Sequence, residues 1–80
     1  MFFAYVVRSI RTGFLYRGHC QNLEQRLKQH NSGITESIRM YIPFEVVYFE
    51  VFQTREEAIK REKYFKSGVG KEELKRKLAP

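Results

Sequence analysis

The stretch from Tyr16 to Gly33 constrains the fold most, because it contains both the start and the stop signals of a helix. Asn22 is a favourable N-cap residue, and Gln25 stands three positions later, in the capping-box position. The segment Asn31-Ser32-Gly33 supplies a C-terminal stop. The sequence therefore predicts a helix from Leu23 to His30 that directly follows a strand.

A β-hairpin is predicted ahead of this helix. Residues Phe2 to Ser9 are mainly aromatic or β-branched, Arg11-Thr12-Gly13 has turn chemistry, and Phe14-Leu15-Tyr16 resumes the strand pattern. Gly18 then permits the backbone to turn towards the helix. Both faces of the first strand are apolar, so we expect it at the centre of a sheet with helices on each side.

The second half of the chain adds one strand and two helices. Ile34 to Ile42 lacks a clear period and is predicted to be a loop with at most one helical turn. Phe44 to Phe52 is the most strand-like run. Thr54 opens a capping box and a helix that ends at Lys66, and Lys71 to Leu78 forms a short helix. These elements predict an α+β fold.

Composition limits the chain to one small domain, which we place at residues 1–80. Hydrophobic residues make up 42% of the chain and aromatic residues 15%, which favours a folded globule. The single cysteine, Cys20, excludes an internal disulfide and indicates a reducing, cytoplasmic compartment. Arg8 interrupts the N-terminal apolar run far short of the roughly 20 residues of a membrane span, so we expect neither signal peptide nor anchor.

The net charge is +6, which favours a polyanionic partner, most commonly nucleic acid. Eight of the fifteen basic residues lie between Lys60 and Lys77. Charge alone leaves two interpretations open. The segment is either a solvated helix face with a basic tail or a surface that follows a phosphate backbone.

Glu62 occupies an unusual position on the second predicted helix. At about 100° per residue it falls inside the apolar arc of Ala58, Ile59 and Phe65. Because an unpaired buried carboxylate is costly, Glu62 needs a partner such as Arg26, a hydroxyl or a metal ion, or a place where the arc meets a cleft. A structural salt bridge is the alternative explanation.

Several side chains have the chemistry of a hydrolytic site. They are Tyr5, Tyr16, His19, Arg26, His30 and Glu62. The chain has no Gly-rich phosphate loop, Cys/His cluster or Ser-centred elbow, so oxidoreductase and protease functions lack support. Together the candidates supply what phosphodiester hydrolysis needs: a carboxylate for a metal, an arginine for the phosphate, and a phenol or imidazole for a proton.

Two short motifs carry a family resemblance. Phe3-Ala4-Tyr5 stands in the place of Gly-Ile-Tyr, and Tyr16-Arg17-Gly18 in the place of Tyr-Ile-Gly. Arg26 follows ten residues after Tyr16, and Glu62 lies far downstream. With the His-Asn-Ser-Gly helix end, the chain resembles the GIY-YIG nuclease superfamily over almost its whole length, and specifically its small stand-alone, single-domain branch.

The resemblance implies a three-stranded antiparallel sheet flanked by helices and an endonuclease site with one divalent cation, Mg²⁺ or Mn²⁺. Carried over by position, Glu62 would hold the metal and Arg26 would contact the scissile phosphate. Tyr16 would be the general base or water-orienting group, with Tyr5 beside it.

Two histidines also match functional positions of the family. His30 stands where some members use histidine, and His19 stands where others place a lysine that lowers the pKa of the phenol. A histidine there would act as a base or help Tyr16 ionise, since its pKa of about 6.5 lies near neutrality.

Two residues depart from the family pattern. Phe3 replaces the glycine of the first motif, and Arg17 replaces an apolar residue of the second. On strand alternation Arg17 points to the face opposite Tyr16. We therefore expect it to emerge at a sheet edge or to pair with Glu45 or Glu50.

The function predicted from these features is a metal-dependent, structure-directed DNA endonuclease of a repair or recombination type, with RNA not excluded as substrate. A non-catalytic nucleic-acid-binding module and a protein-interaction domain are the alternatives. The sequence shows no targeting module, so we expect recognition by shape, by homodimerisation or through a partner protein, and no membrane association.

Overall fold

Three strands form one antiparallel sheet. They are β1 (Phe2–Ser9), β2 (Leu15–Cys20) and β3 (Phe44–Phe52). The strand order is β2-β1-β3, and both neighbouring pairs are antiparallel. The predicted central position of the first strand and the predicted α+β class are confirmed.

A computed structural model describes residues 1–79, so Pro80, the last residue of the predicted 1–80 domain, lies outside the described part. The helices are α1 (Leu23–Asn31), a 3₁₀ helix (Glu36–Tyr41), α2 (Arg55–Lys66) and α3 (Gly68–Leu78). The 3₁₀ helix occupies the segment predicted as a loop with one turn. Within residues 1–79 no helix has the length and apolar character needed to cross a membrane.

The predicted caps form at both longer helices. The Asn22 side chain accepts a hydrogen bond from the Gln25 backbone N–H, and Gly33 ends the α1 segment with a φ of 84°. Thr54 and Glu57 form the complete capping box of α2. The helix predicted at Lys71 begins earlier, at Gly68, because the Ser67 side chain caps it by accepting from the Gly70 N–H.

The role predicted for Gly18 is wrong. This residue does not turn the chain. It lies inside β2, which continues past Tyr16 to Cys20, and it pairs with Tyr5 of β1. A Cβ atom on residue 18 would lie 2.5 Å from the Tyr5 hydroxyl oxygen. The glycine is therefore needed for the close approach of the Tyr5 ring.

The sheet has an apolar core on each face. Tyr5 and Val7 of β1 pack with Ile38 on the side of α1 and the 3₁₀ helix. Ala4 and Val6 pack on the opposite side with residues of α2 and α3, including Phe65. Helices on both sides of the central strand are thus confirmed, and this burial on both faces explains why β1 is apolar throughout.

Arg61 of α2 forms hydrogen bonds with both β3 and α3. Its guanidinium donates two hydrogen bonds to Glu50 of β3, at 2.8 and 3.1 Å, and one to Glu73 of α3 at 2.7 Å. Glu73 also accepts from the Tyr64 hydroxyl at 2.7 Å. Because these groups are mostly shielded from solvent, the network places the basic helix α3 firmly against α2 and β3.

Candidate active site

The two tyrosines of the motifs stand on one face of the sheet. Tyr5 pairs with Gly18 and Tyr16 pairs with Val7, so the phenols lie on neighbouring strands with an offset. Tyr5 is 1% exposed, whereas Tyr16 is half-buried. The two phenols therefore form an offset cross-strand pair on one face of the sheet.

Both phenols line a cavity of about 220 Å³ at the open edge of β2, which we call the tyrosine cavity. Its lining comprises Tyr5, Tyr16, Arg17, Gly18, His19, Arg26 and Glu62. Five of the six predicted site residues therefore surround one space, although they come from β1, β2, α1 and α2. Gly18 contributes because its missing side chain leaves the strand edge open.

The sixth predicted residue, His30, lies behind the cavity. It is 3% exposed, and its Nε2 shares a hydrogen bond of 2.8 Å with the Tyr5 hydroxyl. Its Nδ1 is buried without a hydrogen-bond partner. Burial, together with the charge of Arg26, lowers the pKa of His30. His30 is thus a neutral residue that holds Tyr5 in place.

Burial raises the pKa of the Tyr5 phenol, and the positive charge of Arg26 opposes this only in part. Tyr5 therefore keeps its proton at neutral pH and acts as a hydrogen-bond donor, not as a phenolate. Of the two tyrosines, the more exposed Tyr16 is the one that stays available for base chemistry at the cavity.

We expect the stability of the fold to fall as the pH decreases from 7 to 5.5, because of His30. The unfolded state binds a proton near pH 6.5, while the folded state resists it since burial lowers the pKa of His30. The stabilisation is therefore present above the unfolded pKa and is lost as the pH falls towards the folded pKa. Urea-unfolding midpoints measured across this range test the expectation.

His30→Gln is the informative variant, since glutamine still bonds to Tyr5 but does not titrate. Its midpoint should change less with pH than that of the wild type. Equal slopes for wild type and His30→Gln would contradict the assignment.

Glu62 binds the side chains of His19 and Lys66 and does not bind Arg26. Its Oε1 accepts from His19 Nδ1 at 2.7 Å and its Oε2 from Lys66 Nζ at 2.7 Å. Of the alternatives expected for Glu62, a salt bridge and a position where the apolar arc meets a cleft are both present. Arg26 as its partner is wrong, because α2 packs on the face of β2 that carries His19, opposite Tyr16. Lys66 was missed, although its spacing of four residues from Glu62 was a usable signal.

Burial by itself raises the pKa of the Glu62 carboxyl, but the hydrogen bonds from Lys66 and His19 outweigh it and keep the pKa below its ordinary value. Glu62 is therefore an ionised carboxylate at the cavity wall. His19 Nδ1 is engaged with Glu62, so this nitrogen does not serve Tyr16.

Arg17, which departs from the family pattern, also lines the tyrosine cavity. It does not pair with Glu45 or Glu50, which bind Arg8 and Arg61 instead. Arg17 lies on the edge strand β2, which was the other expected alternative. Its buried Nε has no hydrogen-bond partner. Arg17 and His19 are alternate residues of β2, so their side chains lie on the same face of the strand. This spacing indicates from the sequence that Arg17 shares the cavity with Glu62.

A divalent cation at the cavity would bind Glu62 in exchange for its hydrogen bonds from His19 and Lys66. Mg²⁺ is commonly held by one or two carboxylates, with waters and substrate phosphate oxygens as further ligands. Glu62 is the carboxylate of the tyrosine cavity. Within residues 1–79 no three His, Cys, Asp or Glu side chains are placed to share a metal. A cation here would take one protein carboxylate and depend on the substrate for other ligands.

The fold and this site define a nuclease-type domain. The chain belongs to the GIY-YIG catalytic domain family, whose model matches residues 1–76. The predicted family and its three-stranded antiparallel sheet flanked by helices are confirmed.

The relatives within this family are UPF0213 proteins. One from Bacillus licheniformis is 43% identical over 63 residues, which cover 78% of this chain and 65% of that protein. One from Staphylococcus saprophyticus is 34% identical over 74 residues, covering 91% and 89%. The solution NMR structure of a UPF0213 protein from Bacillus halodurans is 30% identical, with a TM-score of 0.57, and the match covers 100% of this chain and 89% of that one. The chain thus spans slightly less than two thirds of the Bacillus licheniformis protein.

Proposed function

We propose that this chain is a metal-dependent endonuclease that hydrolyses DNA phosphodiester bonds at branched or otherwise distorted sites. The observation that carries the proposal is the convergence of five candidate residues on one open cavity at the edge of β2. Two phenols, a guanidinium, an imidazole and a carboxylate are the functional groups that phosphodiester hydrolysis requires. Membership of the nuclease family supports the same reaction class.

The phenols have different tasks in this proposal. Tyr16, in its phenolate form, orients the attacking water and takes a proton from it. The phenol so formed then releases that proton to solvent. Tyr5 remains protonated, since burial raises its pKa, and donates a hydrogen bond to the reacting oxygens. For this role His30 carries its proton on Nε2 and donates it to the Tyr5 oxygen at 2.8 Å, which leaves the Tyr5 O–H free to donate to the substrate.

The guanidinium of Arg26 binds the scissile phosphate and stabilises the charge that develops on it. Arg26 forms no ion pair within residues 1–79 and lines the cavity. Arg17 reaches the same cavity and adds a second positive charge. Glu62 would hold a Mg²⁺ or Mn²⁺ ion, which polarises the phosphate when bound.

Metal removal and the Tyr16→Phe variant test the proposal. We expect the wild type to cut branched, flapped or nicked DNA with Mg²⁺ or Mn²⁺ and to stop in excess EDTA. Tyr16→Phe should lower the rate by about 100-fold or more, since a positioned acid or base contributes about that factor. The substrate panel should include single-stranded DNA and an RNA hairpin. Undiminished cutting by Tyr16→Phe would exclude the assigned role.

A nucleic-acid-binding module without cleavage is the second candidate, favoured by the exposed basic residues of α3. Lys75, Arg76 and Lys77 lie in the last turn of this helix. Binding without cutting under all metals, with a salt dependence reduced by replacing these three residues with glutamine, would support this candidate.

We further propose that residues 1–80 act as one catalytic unit in a reducing, cytoplasmic compartment. The buried free thiol of Cys20 supports a reducing environment. Targeting through a homodimer or a partner protein belongs to the proposal as well and is tested by measuring the oligomeric state with and without DNA.

A further inference from the structure

A second cavity, of about 160 Å³, adjoins the tyrosine cavity and shares Arg26 with it. We call it the glutamine cavity. Its lining includes Gln21, Gln25 and Gln29, together with Arg55. We propose that it binds the nucleotide next to the scissile phosphate, with Arg55 on the neighbouring phosphate and the glutamine amides on the sugar or base. The inference rests on the proposed function and extends the same site.

Positive charge at the glutamine cavity is not neutralised by the protein. No acidic residue lines it, and within residues 1–79 neither Arg26 nor Arg55 forms an ion pair. By contrast, Arg61 elsewhere in the fold binds two glutamates. Two guanidinium groups that converge on one space without a carboxylate are suited to an anionic ligand such as a phosphodiester.

The helix geometry adds to this positive potential. Asn22 is the N-cap of α1, and Arg55 is the first residue of α2. Part of the cavity lining therefore lies at the N-terminal ends of two helices, where the helix dipole favours negative charge, while Gln29 lies in the last turn of α1. The acidic residues of these first turns are Glu24, Glu56 and Glu57, and none of them lines the cavity.

The amides indicate more than a simple anion. Gln25 and Gln29 lie one turn apart on α1, and their side chains form no hydrogen bond within residues 1–79; the same holds for Gln21. Each free amide offers both donors and an acceptor, which matches the edge of a nucleobase or a sugar hydroxyl better than inorganic phosphate. The cavity is smaller than the roughly 300 Å³ of a complete small-molecule site, so it accommodates part of a longer ligand.

A contact with the Phe2 ring positions the Arg55 side chain and involves no carboxylate that would neutralise its charge. Its guanidinium carbon lies 4.9 Å from the centre of the Phe2 ring, and such a cation–π contact orients the group but leaves its N–H donors free. Since Arg26 faces both cavities, a nucleic-acid strand that bridges them has one phosphate at Arg26 and the next at Arg55.

The test measures DNA binding in EDTA, so that cleavage is not required. Fluorescence anisotropy with a labelled branched DNA compares wild type with Arg55→Gln and with the double variant Gln25→Ala/Gln29→Ala. We expect Arg55→Gln to raise the Kd about tenfold, as loss of a charged hydrogen bond predicts. The double variant should raise the Kd at least about threefold. Arg55→Lys retains the charge and should recover most of the affinity.

Arg11→Gln is the matched control. It removes the same charge and side chain from an exposed position in the β1–β2 turn, at the opposite end of the sheet. Its Kd should stay within about twofold of the wild type, since an exposed charge remote from the ligand contributes little. Equal Kd values for Arg55→Gln and Arg11→Gln would overturn the inference, as would an unchanged Kd of the double glutamine variant.

NMR of the side-chain amides separates a nucleotide site from a phosphate site. The Gln25 and Gln29 NH₂ signals should shift when an oligonucleotide is added but not with inorganic phosphate alone. Equal shifts with both ligands would overturn the nucleotide assignment. A wild type that binds DNA but never cuts it would refute the proposed nuclease function and leave this binding site standing.

Discussion

Replacing Glu62 with glutamine is expected to lower DNA cleavage by about 1,000-fold, because in the proposed function Glu62 would hold the metal ion, and a bound metal ion is worth several kcal/mol of transition-state stabilisation. Glutamine keeps the size of the side chain and removes its charge. The fold should persist, since the glutamine side-chain oxygen still accepts a hydrogen bond and the Lys66 partner is exposed. Single-turnover cleavage rates with saturating Mn²⁺ measure the effect.

Glu56→Gln is the control for this variant. Glu56 is exposed on the same helix, lies outside both cavities, and its loss should leave the rate unchanged. The competing explanation of Glu62 as a structural salt bridge predicts something different. In that case, the rate would decrease only as far as the folded fraction does, and a thermal melt of Glu62→Gln would show the loss.

Gly70→Ala is expected to destabilise the fold by about 3 kcal/mol, the upper end of overpacking costs. Gly70 is buried at the start of α3, and a Cβ atom there would collide with the Tyr64 carbonyl of α2. The obstacle is backbone, so rotation of a side chain does not relieve it. The thermal midpoint should fall by roughly 12–24 °C, as such a loss predicts for a domain of this size.

Gly68→Ala provides the matched comparison on the same helix. A Cβ atom on residue 68 would have no neighbour within 4 Å. The variant should be as stable as the wild type or up to about 1 kcal/mol more stable, since alanine favours the helix. A Gly70→Ala midpoint close to that of Gly68→Ala would show that α3 does not need close contact with α2.

The secondary structure was largely predictable because its signals are local. The caps at Asn22 and Thr54 act within one helical turn, and strand alternation operates over two residues. The prediction failed at Gly18, where a glycine that looked like a turn serves the packing of Tyr5 on the next strand. It also placed the start of α3 too late, because Ser67 both ends α2 and caps α3.

The sequence predicted which residues line the candidate site better than it predicted the contacts between them. A carboxylate in an apolar arc identified Glu62 from the sequence alone, yet its partners are His19 and Lys66 in place of Arg26. Which face of β2 meets α2 decides this, and periodicity on one strand does not contain that information. The contribution of Arg17 depends on the same geometry.

The sequence by itself determined the strands, the capped helices, the family resemblance and the set of chemically capable residues. Only the tertiary structure decided that His30 supports Tyr5, that Glu62 is bound by His19 and Lys66, and that Arg26 lines two cavities. The physical reason is the distance along the sequence over which each interaction acts. Caps and periodicity involve neighbours along the chain, whereas His19 and Glu62 lie 43 positions apart and meet only because α2 packs on the edge strand.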